Sequence, residues 1–199
     1  MASVKMTKNA LRDKQHLLKQ LQTYLPTLRL KKSLFQTQVM LVKNRIKRLK
    51  EDHKKRLTEV ENFCFLLSSK YEIDPTEYIE IKHIQKTYEN IAGVELPNFE
   101  KIIFNDDDYD LFDTPIWFDE ASLKLKQMIS AKEKINVEEE KKRSLQKELK
   151  DVSIRVNLFE KILIPRTLTH IKKIRIFLGD QELALVSQAK VAKLKKENI

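Results

Sequence analysis

Residues that make turns and cross-links are scarce in this 199-residue chain. It has two glycines, Gly93 and Gly179, and five prolines, too little material for a loop-rich fold. One cysteine, Cys64, excludes an internal disulfide, and no second cysteine or nearby histidine offers the spacing of a structural zinc site. Lying between Phe63 and Phe65, it reads as a small packing residue in a reducing compartment. With two glycines there is no Gly-x-x-x-x-Gly-Lys-Ser/Thr loop to cradle a phosphate, so this chain is not expected to hydrolyse ATP. His16, His53, His83 and His170 are far apart, and neither a metal nor a cofactor is expected. Apolar runs such as Ile162 to Pro165 fall far short of the roughly 20 residues needed to span a bilayer. Lys5 and Lys8 have no apolar stretch behind them, so no secretory signal is expected.

What the chain has in quantity is charge, 34% of its residues, arranged around apolar periodicity. Leu18, Leu21, Leu25 and Leu28, then Phe35, Val39, Val42, Ile46 and Leu49, then Val60, Phe63 and Leu67 advance in steps of three and four, the a/d seam of a coiled coil. Lys32, His53 and Arg56 interrupt it. The same signature returns at Leu145, Leu149, Val152, Val156, Phe159 and Leu163, and after Pro165 it resumes one step out of phase at Leu168, Ile171, Ile174 and Leu178. Runs such as Lys43 to Lys50 and Glu138 to Arg143 read as solvated helix surface. Each narrow stripe needs a partner, because a helix with so little apolar surface is not stable alone.

Between the two segments the pattern changes. Asp74 and Pro75 break the first helix, and Thr76 to Asn90 reads as a short helix leading to Gly93. Val94 to Phe99, Lys101 to Phe104 and Pro115 to Phe118 alternate like strands around the acidic turn Asn105 to Asp108, which predicts a small β-hairpin. That turn lacks the glycine and terminal glutamate of a calcium loop. Asp119 or Ser122 is placed to cap the second long helix. The predicted fold is therefore mostly α, a long antiparallel two-helix coiled coil with a small central insertion. The segments are 1–70, 71–120 and 121–199, the last ending in a basic tail.

If the long segments fold back on each other, antiparallel partners have residue numbers totalling about 191, and the first helix spans roughly 90 Å. Pro26 and Pro165 then fall at one height, where a shared bend is expected, and Gly179 marks a break near the end of the pairing. Gln181 to Ile199 is left to project with a weak apolar face of Leu183, Val186 and Ala189.

Charge is distributed in blocks, with balances of +12, −11 and +9 over the three segments and +10 in all. A basic helical hairpin that holds nucleic acid is one reading of such a chain, and a structural coiled-coil adaptor is another. Basic runs such as Lys43 to Arg56 carry no aromatic residue for base stacking, which argues against nucleic acid as a partner.

The run Arg155, Val156, Asn157, Leu158, Phe159, Glu160, followed by Leu163, Ile164, Pro165 and Arg166 and then Ile171, Ile174 and Leu178, resembles the D subunit of V/A-type ATPases. That family carries Arg-Val-Asn-Ala-Leu-Glu and then Ile-Pro. Thr7 to Leu21 and Leu30 to Gln38 are similar to its opening helix. Leu158, Phe159 and Pro26 depart from its usual residues. The resemblance implies a non-catalytic central rotor subunit, peripheral on the cytoplasmic side, that couples ATP synthesis or hydrolysis to ion translocation. It implies as partners the ring of catalytic A and B subunits, the small F subunit of the stalk, and the C subunit, also called d, that links to the membrane rotor ring. Under it, Leu18 to Leu28, Arg166 to Leu178 and the tail lie inside the ring, with Arg166, Lys172, Lys173 and Arg175 facing acidic groups there. The F subunit is expected on the flank carrying Arg45, Leu49, Arg56, Met128, Ile135 and Arg143.

Overall fold

The computed structural model describes residues 5–67, 79–105 and 117–197, without the side chains of 62–67 and 197. In chain order the elements are α1 (Lys8–Leu67), β1 (Ile81–Ile91), β2 (Val94–Phe104), α2 (Phe118–Leu158), a π-helical turn (Phe159–Leu163) and α3 (Ile164–Glu197). The chain forms two compact units, one of residues 1–33 with 151–199 and the other of residues 34–150.

In the first unit, α1 starts where Thr7 caps it, its hydroxyl accepting from the Ala10 N–H at 3.2 Å. Leu21 of α1 is buried, as are Val152 and Val156 of α2 and Ile171 and Ile174 of α3. Leu18, Leu25, Leu28, Phe159, Leu163 and Leu178 are half-buried beside them. Two ion pairs mark the antiparallel register: Lys8 with Glu182 at 3.6 Å and Arg29 with Glu160 at 2.6 Å. Both agree with the predicted pairing to within about two residues, less than one helical turn. The second lies about one turn from Pro26 on α1 and from Pro165 on the returning strand of helix, in the same axial direction, so the prolines share a level.

The phase slip seen in the sequence has a physical cause. At the π-turn the Ile164 N–H reaches back five residues to the Phe159 carbonyl, so the turn holds one residue more than an α-helical turn. That shifts all later seam positions by one. It also widens the backbone just before Pro165, which has no N–H and whose ring crowds the preceding turn. The residue that takes the next seam position is Thr167, not Leu168: Thr167 is 5% exposed and Leu168 47%. Burial of the Thr167 hydroxyl is offset by its bond to the Leu163 carbonyl at 2.7 Å. The expected break at Gly179 does not occur; α3 continues through it to Glu197. A glycine inside a helix costs only about 1 kcal/mol, too little to end one that is otherwise well formed.

In the second unit, α1 buries Phe35, Val39, Val42 and Ile46 and α2 buries Ile135, Val137 and Leu145. Lys50 and Glu139 pair at 2.7 Å, again close to the predicted register. β1 and β2 form an antiparallel hairpin from Ile91 opposite Val94 to Ile81 opposite Phe104, with irregularities near His83 and Gln85. Its turn is Ala92 and Gly93, at φ of 53° and 85°. These left-handed values give the twist that two-residue hairpins need, and the Asn90 side chain accepts from the Gly93 N–H at 2.9 Å. Pro97 is tolerated because each strand of a two-stranded ribbon has a free edge.

The hairpin was expected, but not in this place. The segment from Ile81 to Asn90, read as helix, is strand, and the hairpin turns at Gly93 instead of the acidic run. Ile81, Ile84, Tyr88 and Ile91 follow the three-and-four spacing of a helix and not the alternation of a strand, and pairing with β2, with two register irregularities, overrides that local pattern. Asn105 closes the open end, donating its backbone N–H to the Glu80 carbonyl at 3.0 Å. At the start of α2, Phe118 is helical, not strand, and Ala121 already bonds to the Trp117 carbonyl at 3.0 Å. Ser122 is therefore a buried residue within the helix, and Asp119 sits in its first turn, where a negative charge suits the helix dipole; neither is the cap. Asp74, Pro75, Asp106 to Asp108 and Pro115 lie outside the described residues.

Candidate functional site

Surfaces, not a cleft with reactive groups, are the candidate sites here. Among the described residues no group of three or more His, Cys, Asp or Glu is placed to hold a metal ion, and no helix is long and apolar enough to cross a membrane.

The hairpin is fastened to the helices of its unit by charge. Lys86 on β1 pairs with Glu140 on α2 at 2.7 Å, and that hydrogen bond raises the lysine's pKa. Lys141 on α2 is 5% exposed and reaches the Asn98 side-chain oxygen at 2.7 Å and Glu89 at 3.6 Å. The Lys134 ammonium lies 5.3 Å from the centre of the Phe99 ring, a cation–π distance. Next to Lys141, Glu138 is 8% exposed; one carboxylate oxygen pairs with Arg45 of α1 at 3.2 Å, while Oε2 is buried without a hydrogen-bond partner among the described residues.

These buried charges correct the reading of Glu138 to Arg143 as solvated surface. Counting back four and seven residues from buried Leu145 puts Lys141 and Glu138 on the seam side of α2, a signal present in the sequence. Partners on other elements explain why they are tolerated there: Asn98 and Glu89 of the hairpin for Lys141, and Arg45 of α1 for one oxygen of Glu138.

The six residues expected on one flank do not form one patch. Arg45 and half-buried Leu49 line a cleft with Glu89, Asn98 and Phe99, and Leu49 with Arg56 line a second, of about 480 Å³, with Phe104. Ile135 is buried within the chain itself, Met128 is half-buried, and Arg143 is exposed with its Nε 3.4 Å from the Glu139 carbonyl.

In the other unit, Arg166, Lys172, Lys173 and Arg175 are all exposed. His170, half-buried among them, has its pKa lowered by burial first and then by the positive charges of Arg166, Lys14 and Lys173. From Gln181 to Lys196 every residue is exposed, including Leu183, Leu185, Val186, Val191 and Leu194. In the Arg155 to Pro165 motif, Val156 is a seam residue and Glu160 holds Arg29. Arg155, Asn157 and Pro165 are exposed around the π-turn.

A profile of the ATP synthase D-subunit family matches residues 10–194. The V-type ATP synthase D subunit of Chlamydia caviae is 41% identical over 198 residues, covering 98% of this chain and 94% of that protein. This chain belongs to the ATP synthase D-subunit family. The V-type ATP synthase D subunit of Chlamydia abortus is 40% identical over 195 residues, with 98% and 94% covered. That of Borreliella burgdorferi is 36% identical over 193, with 97% and 95% covered. As a D subunit, the chain is one component of a rotary ATPase, and its exposed apolar and basic faces belong to a protein that works among other subunits. The paired long helices suit a coiled-coil stalk, and the motif that carried the resemblance is the stretch where the seam of this chain passes through a π-turn.

Proposed function

We propose that this chain is the central rotor shaft of a V-type ATP synthase, without catalytic activity of its own, coupling ATP synthesis or hydrolysis in a ring of A and B subunits to ion translocation. The observation that supports it best is the exposed stretch from Gln181 to Lys196, whose leucines and valines have no cover among the described residues, following a helix whose outward face is basic. A ring that encloses this end covers those side chains, and Arg166, Lys172, Lys173 and Arg175 then meet acidic groups on its inner wall. The three domains of this reading are the helix of 1–70, the middle region of 71–120 and the returning helix of 121–199. The middle region faces the F and C (or d) subunits, and the complex sits on the cytoplasmic side of the membrane. Torque transmission needs resistance to slip between the helices. The antiparallel seam supplies that, with ion pairs Arg29 to Glu160 in one unit and Lys50 to Glu139 in the other.

The test is reconstitution: the A and B ring is assembled with and without this chain and the F subunit, and ATPase activity and single-molecule rotation are measured. Rotation of a bead fixed to the chain is the expected result. A ring that turns over ATP identically without it, and never retains it, overturns the proposal.

A further inference from the structure

Within residues 34–150 the coiled coil loses its apolar seam on both helices at one level. On α1 the buried run ends at Ile46; Leu49 is half-buried, and its face continues through Asp52 to exposed Arg56 in steps of three and four. On α2 the side chains at this level are Gln127, Ser130, Ala131 and Lys134, again on one face by their three-and-four spacing. Leu49 is the only large apolar side chain the two helices bring to the space between them, and a cleft of about 480 Å³ is left there. Phe104 of β2 forms its third wall.

The hairpin also sets the cations of this cleft. Phe99 and Phe104 are five residues apart and would lie on opposite faces of a regular strand. Opposite Gln85 and Lys86, β2 carries Glu100 as an extra residue, and this irregularity brings both rings to the face that meets α2. The Lys134 ammonium lies 5.3 Å from the centre of the Phe99 ring and that of Lys126 5.8 Å from the centre of Phe104, which holds both lysines at the cleft. The neighbouring cleft, which shares Leu49 and Lys134, neutralises its charges internally, Arg45 on Glu138 and Lys141 on Glu89. Here Arg56, Lys134 and Asp52 carry no ion pair among the described residues. Arg56, Lys126 and Lys134 against Asp52 leave the lining with an excess of two positive charges.

We propose that this cleft binds a mononucleotide, a flat base joined through ribose to one phosphate. The phosphate, with a charge of about −2, balances the excess and meets Arg56, Lys126 and Lys134. The base lies against Leu49, Ala131 and Phe104, while Asp52, Gln127 and Ser130 supply hydrogen-bond partners for its edge and for the ribose hydroxyls. The volume falls within the roughly 300–1,000 Å³ of small-molecule sites. A bare phosphate leaves the apolar wall in water, and an aliphatic acid leaves Asp52, Gln127 and Ser130 unpartnered. With no glycine-rich loop in the sequence, the phosphate is held by side chains. A ligand here touches α1, α2 and β2 together, so its binding fastens the open end of the hairpin to both helices. The inference goes beyond the rotor reading and does not depend on it.

The test is isothermal titration calorimetry of the full chain in EDTA, with AMP, GMP, ribose 5-phosphate and inorganic phosphate as probes. A mononucleotide is expected to bind at micromolar to submillimolar concentration, and ribose 5-phosphate and phosphate at least about tenfold more weakly. R56Q/K134Q should lose at least about tenfold in affinity. Ala131→Leu, which fills the space without changing charge, should lose as much while circular dichroism stays that of the wild type. The charge-matched control K43Q/K47Q, on exposed lysines of α1 outside the cleft, should stay within about twofold. Bound nucleotide should also slow amide exchange around Phe104 at least about threefold in the wild type and not in Ala131→Leu. The inference is overturned if no probe binds up to millimolar concentration, or if R56Q/K134Q and K43Q/K47Q weaken binding equally, the mark of diffuse attraction. Full binding by Ala131→Leu overturns it as well, and so does phosphate binding as tightly as a mononucleotide. Each of these results leaves the rotor reading standing, since reconstitution of the ring tests that separately.

Discussion

Glu138 lets the energetics of the hairpin flank be tested by sign as well as size. Its carboxylate is 11% exposed and paired at 3.2 Å with Arg45, whose side chain is 63% exposed. At that separation and an effective dielectric of about 20 the Coulomb energy is about 5 kcal/mol. Exposure of the arginine screens most of it and leaves a net coupling of about 1–2 kcal/mol. Against this stands the second oxygen, buried without a partner, which costs about 1–3 kcal/mol. Glu138→Leu removes the unpartnered oxygen and releases Arg45 to water, so its effect should lie within about 1 kcal/mol of zero. Arg45→Met strands the carboxylate and should cost about 2 kcal/mol. The double variant should match Glu138→Leu, giving a coupling of about 1–2 kcal/mol. Urea unfolding followed by fluorescence reads this directly, because Trp117, the only tryptophan, lies in the same unit at the start of α2. A Glu138→Leu variant less stable than Arg45→Met would refute the reasoning and show that both oxygens are satisfied in the folded protein.

At the hairpin turn, Ala92→Gly should stabilise and Gly93→Ala destabilise by about 1 kcal/mol each, read as opposite shifts in amide exchange of β1 and β2, since both positions have positive φ. Deleting Ile162, an exposed residue of the π-turn, together with Pro165→Ala should convert the turn to α-helix and leave Thr167, Ile171 and Ile174 on the seam. Helicity should be kept and stability changed by no more than about 2 kcal/mol; collapse of the fold in circular dichroism would show that the π-turn does more than absorb a phase shift. His170 titrates below its ordinary value in the folded chain, so the stability tied to its neutral form is present above pH 6.5 and is lost as pH falls through the unfolded and then the folded pKa. Thermal melts between about pH 7.5 and 5.5 should fall less steeply for His170→Gln than for the wild type.

How far each part could be read depends on the range of the interaction that fixes it. The seam of Leu21, Phe35, Val39, Val42 and Ile46 and its counterpart Leu145, Val152 and Val156 were legible because helical burial repeats every three or four residues along a single segment. The register followed from them, since two long stripes joined by a short region can pair in few ways, and Arg29 with Glu160 fell within about two residues of the predicted level. The slip after Pro165 was visible too, although the sequence alone did not say that a π-turn produces it or that Thr167 replaces Leu168 on the seam. The hairpin's position and the buried Glu138 and Lys141 were decided by tertiary structure. Ile81 to Ile91 carries the apolar spacing of a helix, and only its pairing with Val94 to Phe104 makes it a strand. A lysine on a seam is costly until Asn98 and Glu89, more than 40 residues away, come to meet it, and no local pattern reports a partner that distant.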